Sequence, residues 1–399
     1  MYLTKEEERV LRGDEGEVKA RALKVIVKVG EIFGAERLVN ISHAHVSGIS
    51  YFNIRRYGVE FLEDLVNNGA KFSVFTTANP YAAHYLSFKG RGFSKDVIDN
   101  QERIINALIS MGARAFTCAP YHIRRPKVSE HLAWAESNAV LYANSVFGAR
   151  TNREGGPLAL LEAIVGKAPY CGMHVDEERY PSILIKVPKP SSLLEAAVIG
   201  YLTGKISLSR IPYVEGLGRV RDEWLKAFLA GVGASSGTPM VFLEGITPDC
   251  RRVRKDDIQE HVRLSEEDVR SFIKEHSPPR EATGNRLYVI GCPHISEEKI
   301  RKVDLRVRGV CSGACDEELW IITGCFSLPC SGILASANGR VRIIEGACPI
   351  VTRLDLLGVE EVVTDSVKAL HYLPRLAHVK AFIMDREEIL KRFGVGLCG

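Results

Sequence analysis

Hydrophobic runs of strand length alternate with longer amphipathic runs along the whole chain. The β-rich runs are AERLVNIS, AKFSVFTT, ARAFTC, NAVLYAN, GTPMVFLEG, NRLYVIG, ELWIITG and RVRIIEG. Most give way to a Gly/Pro/Ser-rich corner or to a helical segment, a pattern that predicts an α/β protein with parallel or mixed sheets. At the N-terminus, Thr4 and Glu7 have the spacing of a capping box ahead of a charged helix. Two stretches read as connectors: KVPKPSS (residues 186–192), and HSPPREATGN (residues 276–285), where two prolines follow a charged helix. No repeat of fixed period and no low-complexity tract interrupts the pattern.

One corner is unusually polar: SVFGARTNREGGPLALLEAIVG, residues 145–166. NAVLYAN before it reads as a buried strand. After Pro157, the residues Leu158, Leu161, Ile164 and Val165 recur at helical spacing, and Pro157 suits a first helical turn. The polar cluster is therefore expected at a strand-to-helix corner facing a helix N-terminus, where α/β folds bind anions. A well-capped surface loop would read the same way.

Other strand ends carry polar groups too. FTTANP offers Thr76, Thr77 and Asn79, and FKGRGFS offers Lys89 and Arg91 in a Gly-rich loop. Two cations with free backbone N–H groups suit a phosphate, although a solvated basic loop has the same composition. VTDSVKALHYLP brings Ser366, Lys368 and Tyr372, which on a helix would be mostly surface residues. ISHAHVSG puts His43 and His45 on one face of a strand end. Such a pair can bind zinc in a hydrolase built on a β/α barrel, but the further ligands are hard to find. His122, His294 and His371 are scattered, and no carboxylate stands out.

Composition narrows the class. A chain of 399 residues predicts two or three domain-sized units. Its 46% hydrophobic and 26% charged content is that of a soluble globular enzyme. The net charge of +4 is too small and dispersed to argue for nucleic acid. The charged N-terminus is not a signal peptide, and no long apolar run marks a membrane span, so a cytoplasmic location is expected.

Ten cysteines then call for disulfides of the kind found in hyperthermophiles, or for a metal or cluster. Cys118, Cys292 and Cys348 share one context: each sits where a strand exits into a loop, with a proline close behind. Strand C-terminal ends share one sheet edge, so the three can converge. Three thiolates suit an iron–sulfur cluster with one iron left open as a Lewis acid; the alternative is three small buried residues. Cys311, Cys315, Cys325 and Cys330 are spaced loosely for structural zinc, and Cys325 also follows a strand exit and competes for the cluster. Cys171, Cys250 and Cys398 carry no signal. An electron-transfer cluster or a zinc scaffold in an interaction protein is the non-enzymatic alternative.

TCAPY (residues 117–121), NSVFGARTNREGG (144–156), GCPH (291–294) and TDSVKALHY (364–372) together resemble the aconitase X family. The resemblance spans nearly the whole chain. It implies an aconitase-like catalytic part of three-layer α/β/α units, at about 1–190, 191–285 and 286–399, with parallel or mixed sheets. It also implies a small swivelling domain, here on a separate chain, that brings a serine as catalytic base. The implied cofactor is an iron–sulfur cluster of the 4Fe-4S type with one open iron, held by Cys118, Cys292 and Cys348; the C-x-x-C pair of ordinary aconitases is absent. The implied activity is dehydration of a small phosphorylated hydroxy acid, mevalonate 5-phosphate, or else of cis-3-hydroxy-L-proline. The substrate is expected to meet Ser47, Gly48, Thr76, Thr77, Asn79, Lys89, Arg91, Asn144, Ser145, Gly148, Arg150, Thr151 and Asn152. Arg153 and Glu154 are expected to pair with each other or with the second unit.

Overall fold

The computed structural model describes residues 1–82, 92–304, 317–337 and 339–397; Lys89, Arg91, Cys311, Cys315 and Cys398 lie outside them. The chain opens with helices α1 (Lys5–Arg12) and α2 (Glu17–Ile32), and the Thr4–Glu7 capping box forms as its spacing predicts. There follow β1 (Leu38–Asn40), β2 (His43–Val46), α3 (Tyr51–Asn67), β3 (Phe75–Ala78), α4 (Lys95–Met111) and β4 (Ala133–Trp134). Next come α5 (Ser137–Tyr142), α6 (Gly156–Val165) and β5 (Lys167–Pro169). Parallel strands β3, β2 and β4 form one sheet, with β2 in the middle, and β1 pairs antiparallel with β5.

The run NAVLYAN is helical, not a strand. It forms most of α5 and enters a π turn at Ala143–Phe147. Every residue of α5 is buried. A helix wrapped on all sides has no polar face, so its hydrophobic run cannot be told from a buried strand.

The middle of the chain forms β6 (Ile183–Lys186), α7 (Leu193–Ser207), β7 (Pro212–Glu215), α8 (Asp222–Ser235), β8 (Phe242–Leu243), β9 (Glu260–Arg263) and α9 (Glu266–Glu275). Its four parallel strands run in the order β8-β7-β6-β9, and the proline-rich KVPKPSS joins β6 to α7 within this sheet. Helices α7 and α8 pack backbone to backbone. A Cβ on Gly200 would lie 2.0 Å from the Phe228 carbonyl oxygen, so only glycine fits that crossing.

The last part contributes β10 (Arg286–Ile295), α10 (Glu297–Ile300), β11 (Val303–Asp304), β12 (Glu318–Thr323), β13 (Ile333–Ala337), β14 (Val341–Glu345) and β15 (Glu361–Thr364). After these come α11 (Val367–Leu376), β16 (Lys380–Ile383), α12 (Arg386–Arg392) and β17 (Gly396–Leu397). Six strands run in the order β13-β14-β12-β10-β15-β16, with only β13 antiparallel, so the sheet is mixed. Alternate residues pack on opposite faces: Leu287 and Val289 with Ala369 and Leu373 of α11, Tyr288 and Ile290 with Ile389 and Leu390 of α12. This is a three-layer α/β/α unit. Strand β10 pairs with β12 on one side and β15 on the other, so the connections reverse there and leave a crevice at its C-terminal end.

The segments that follow the strands of the first and last sheets meet. Bridges Phe116–Cys325 and Tyr81–Ala347 couple their backbones, and the Cys348 N–H donates to the Tyr81 carbonyl at 3.0 Å.

Candidate active site

The C-terminal ends of both sheets open on one cavity of about 460 Å³. Strand β2 delivers Ser47 and Gly48 to its wall, β3 delivers Asn79, and the turn after β4 delivers Glu136. Cys118 follows the Phe116 bridge, Cys292 lies near the end of β10, and Cys348 follows β14; all three line the cavity. Strand exits from two sheets, far apart in sequence, thus bring three thiols to one space.

His294 ties the three thiol-bearing loops together. Its backbone N–H donates to the Cys118 sulfur at 3.2 Å. Its Nε2 lies 3.1 Å from the carbonyl of Ala347, beside Cys348, and its Nδ1 lies 3.2 Å from the Thr117 hydroxyl, beside Cys118. A carbonyl only accepts, so Nε2 carries the proton and Nδ1 accepts from Thr117. Burial, the largest influence, lowers the imidazole to about 4, so the ring is neutral and this tautomer holds.

Lys368, at the start of α11, is the buried cation of the wall. It pairs with Glu136 and donates to Asn138 Oδ1 at 2.8 Å, while Asn138 Nδ2 donates to the Cys118 carbonyl at 2.9 Å. Burial alone would raise the Glu136 carboxyl, but Lys368 outweighs it and holds that group at about 2. Burial works against the Lys368 charge too, and Glu136 reverses it, lifting the ammonium above its usual range. Burial pushes all three thiols up, Cys292 to about 12, with the Lys368 charge acting the other way. They are neutral thiols at neutral pH, and binding a metal would release their protons.

Behind Glu136 runs a directed chain of hydrogen bonds. Asn79 gives its amide N–H to Glu136 at 2.7 Å, so its oxygen accepts from His45 Nε2 at 2.8 Å. His45 Nδ1 then accepts from the Thr77 hydroxyl at 2.7 Å, and that oxygen accepts from His43 Nε2 at 3.0 Å. Burial keeps both histidines neutral, with His45 lowered to about 4. Both rings meet Trp134 edge-on. The pair is therefore engaged with Thr77 and Asn79. His122 sits against Lys226 and His371 against Tyr201, so the histidines do not converge as hydrolase ligands. Among the described residues, no three of His, Cys, Asp or Glu are grouped to hold a single ion.

The polar corner at residues 144–152 lies elsewhere. Asn144 donates to the carbonyls of Thr151 and Pro239, and Ser145 accepts from the Val241 N–H. Arg150 is 2% exposed and pairs with Asp176 at 2.8 Å and Asp249 at 3.3 Å, and it also bonds the Gly148 carbonyl. Thr151 accepts from the Trp134 N–H, and Asn152 bonds the backbone of Cys171 and Met173. None of Asn144, Ser145, Gly148, Arg150, Thr151 and Asn152 lines the cavity, nor do Thr76 and Thr77. The arginine reads as an anion site because its acidic partners stand 26 and 99 residues downstream. The same motif does reach the cavity through its next two residues, Arg153 and Glu154. Arg153 donates to the carbonyls of Gly233 and Ser236 at the end of α8, the second unit.

Ser47, Gly48 and Asn79, expected at the substrate, do line the cavity; Glu136, Lys368 and Tyr372 are among the lining residues outside that expected set. Lys368 reads as a surface residue because α11 has polar positions at helical spacing, yet it packs between the last sheet and the first unit and is 8% exposed. Cys325 is buried and disulfide-bonded to Cys330, so neither sulfur is a free thiol for a cluster or for the zinc reading. Among the described residues, no helix is long and apolar enough to cross a membrane.

Comparison with known proteins agrees along the whole length. Family models described as aconitase X first, second and third domain match residues 1–177, 181–274 and 286–394. The chain is 37% identical to the phosphomevalonate dehydratase large subunit of Methanocaldococcus jannaschii, over 98% of this chain and 100% of that one. It is 30% identical to the cis-3-hydroxy-L-proline dehydratase of Pseudomonas aeruginosa, over 93% of this chain but only 66% of that one. The crystal structure of aconitase X from Thermococcus kodakaraensis in its holo-form superposes with a TM-score of 0.84 at 31% identity, over 98% of this chain and 99% of that one.

Proposed function

The chain belongs to the aconitase X family, and from that premise we propose that it is the large subunit of a hydro-lyase that dehydrates mevalonate 5-phosphate to trans-anhydromevalonate 5-phosphate. The observation that carries this reading is the cavity itself, where three cysteines from separate strand exits face a buried, fixed cation. Coverage supports the phosphorylated substrate over hydroxyproline. The chain matches phosphomevalonate dehydratase large subunits end to end, but spans only two thirds of the hydroxyproline enzymes.

Cys118, Cys292 and Cys348 fit an iron–sulfur cluster. Thiolates are the donors such clusters take, and three thiols that each serve a different iron need not be grouped around one ion. When bound, the cluster supplies a Lewis acid that eases departure of the substrate hydroxyl. The chain's own residues do the rest on this side of the cavity. Lys368 presents positive charge to the substrate carboxylate, and Glu136 and Asn138 hold its ammonium in one position. Ser47, Gly48 and Asn79 supply polar contacts at the strand ends. Glu136 is tied to Lys368 and is a poor proton acceptor, so a small swivelling subunit would bring the base that takes the C2 proton. On this reading the assembly is a cytoplasmic enzyme without nucleic-acid or membrane partners.

The test is anaerobic co-purification with the small subunit, followed by assays on both substrates and measurement of iron and sulfide. Water loss from mevalonate 5-phosphate is expected; turnover of cis-3-hydroxy-L-proline alone would overturn the assignment.

A further inference from the structure

Two carboxyl side chains beside this cavity are not used by the reading above. Glu154 lines the wall just ahead of α6, and Glu162 lies on α6, fully buried. Both Glu162 oxygens and Glu154 Oε1 are buried without a hydrogen-bond partner. Among the described residues, no cation stands against either group. Glu154 is subject to burial and to the Asn152 amide, Glu162 to burial and to Glu154. The half-buried Cys171 thiol also faces the pair; it is raised by burial first and then by Glu154, with Glu178 and Glu162 adding to it and the Asn152 amide opposing. Arg153, the nearest cation in sequence, is turned to the Gly233 and Ser236 carbonyls.

A lone carboxylate in such a place is costly and a second one beside it more so, so the pair keeps protons that exposed glutamates would lose. Burial lifts Glu154 to about 7, and burial with Glu154 beside it lifts Glu162 further. Glu154 is the member that reaches the cavity, while Glu162 behind it is fully enclosed. Its backbone is fixed as well. The Glu154 N–H donates to the Trp134 carbonyl at 3.2 Å, and Gly156 packs so closely that a Cβ there would lie 2.3 Å from the Ser47 carbonyl oxygen.

We propose that Glu154, with Glu162 buried behind it, is the acid of the dehydration, giving its proton to the departing C3 hydroxyl. The proposal rests on the hydro-lyase reading. The partner's base takes the C2 proton, and the electron pair of that C–H bond becomes the new C2–C3 double bond. The C3–O bond breaks with its pair on oxygen, and the Glu154 proton completes the leaving water. Solvent then returns one proton to Glu154 and accepts one from the base, so one water is lost overall.

The experiment uses the complex of both subunits loaded with its cluster, as wild type, E154Q and E154D. The wild-type kcat is expected to fall as pH rises through about 7, because the acid form is the active one. E154Q is expected to keep its iron and its KM, to lose about 10²- to 10⁴-fold in kcat, and to lose that alkaline limb. E154D is expected to retain partial activity with the limb present. An infrared band of a protonated carboxyl at pH 6, weaker in E154Q, is the readout independent of turnover. An E154Q kcat within a few-fold of wild type, an unchanged limb, or no difference in that band would overturn the proposal. A wild-type complex that dehydrates nothing removes the functional reading instead, and the infrared comparison tells the two failures apart.

Discussion

Lys368 and Glu136 form a buried ion pair across 232 residues of sequence, joining the last sheet's helix to the first sheet's strand end at the wall of the cavity. Each is 8% exposed, so neither charge is screened by solvent, and removing one leaves the other uncompensated. Lys368→Met should therefore cost about 3–5 kcal/mol in urea unfolding and abolish dehydration. Adding Glu136→Leu should restore much of the stability and none of the activity. A stable, active single variant would contradict both roles.

Cys292→Ser should lower the iron and sulfide content of the anaerobically purified complex and stop turnover, with the circular dichroism spectrum unchanged. Full activity with intact iron would remove Cys292 from the ligand set.

His294 bridges the loops that carry the thiols, through its backbone N–H to Cys118 and its ring to Thr117 and Ala347. His294→Ala keeps the backbone bond and loses the ring. Loss of such an outer support typically costs 10- to 100-fold, roughly, in metal affinity. The variant should release iron to a chelator faster than wild type at equal fold content. Equal release rates would make the ring a packing group only.

Arg150 lies in the motif that reads most like an anion site, but its charge is taken up by Asp176 and Asp249. Arg179 also holds Asp249, at 2.8 Å, so Arg150→Ala does not leave that carboxylate alone. A stability loss of about 3 kcal/mol, at the low end for a broken buried pair, is expected, with KM and kcat unchanged where the variant is folded. A raised KM at full stability would return Arg150 to the substrate.

Acid should unfold the protein in two overlapping stages. Burial holds His45 and His294 at about 4 and His122 and His174 at about 3, against an ordinary value of 6.5. Below pH 6.5 the unfolded chain binds more protons at these sites than the folded one, so stability falls with pH down to about 4. Glu136, held at about 2 despite its burial, adds a further loss as pH drops from 4.5 towards 2. Urea midpoints measured at pH 7, 5.5 and 4.5 should decrease in that order; a flat series would mean the histidines are already charged or exposed.

Much of the architecture could be read from local pattern. Strands β10, β12 and β14 are apolar runs with Gly-rich exits, and the first turn of α6 carries its proline. The meeting of the three cysteines at one cavity was legible from their strand-and-proline context, although only Cys348 follows a strand: Cys118 follows the isolated Phe116 bridge and Cys292 lies within β10. What escaped depends on partners distant in sequence. The acids that neutralise Arg150 lie beyond the quoted motif, the burial of α5 comes from packing on α8, and Lys368 looks solvent-facing until the first unit covers it. Polar residues are assigned by what they meet, and a window of twenty residues does not contain what these meet.

The span between Glu136 and Lys368 also orders events during synthesis. At 5–20 residues per second, Lys368 leaves the ribosome roughly 10 to 50 seconds after its partner. Until then Cys118 and Glu136 have been made while Cys292, Cys348 and the compensating cation are partly or wholly missing. A nascent chain of the first unit therefore holds only Cys118 of the three cavity thiols, and the cavity is complete only when the last sheet and its helix have been made. A chain truncated between residues 348 and 368 would carry all three thiols without the buried cation that stands beside them.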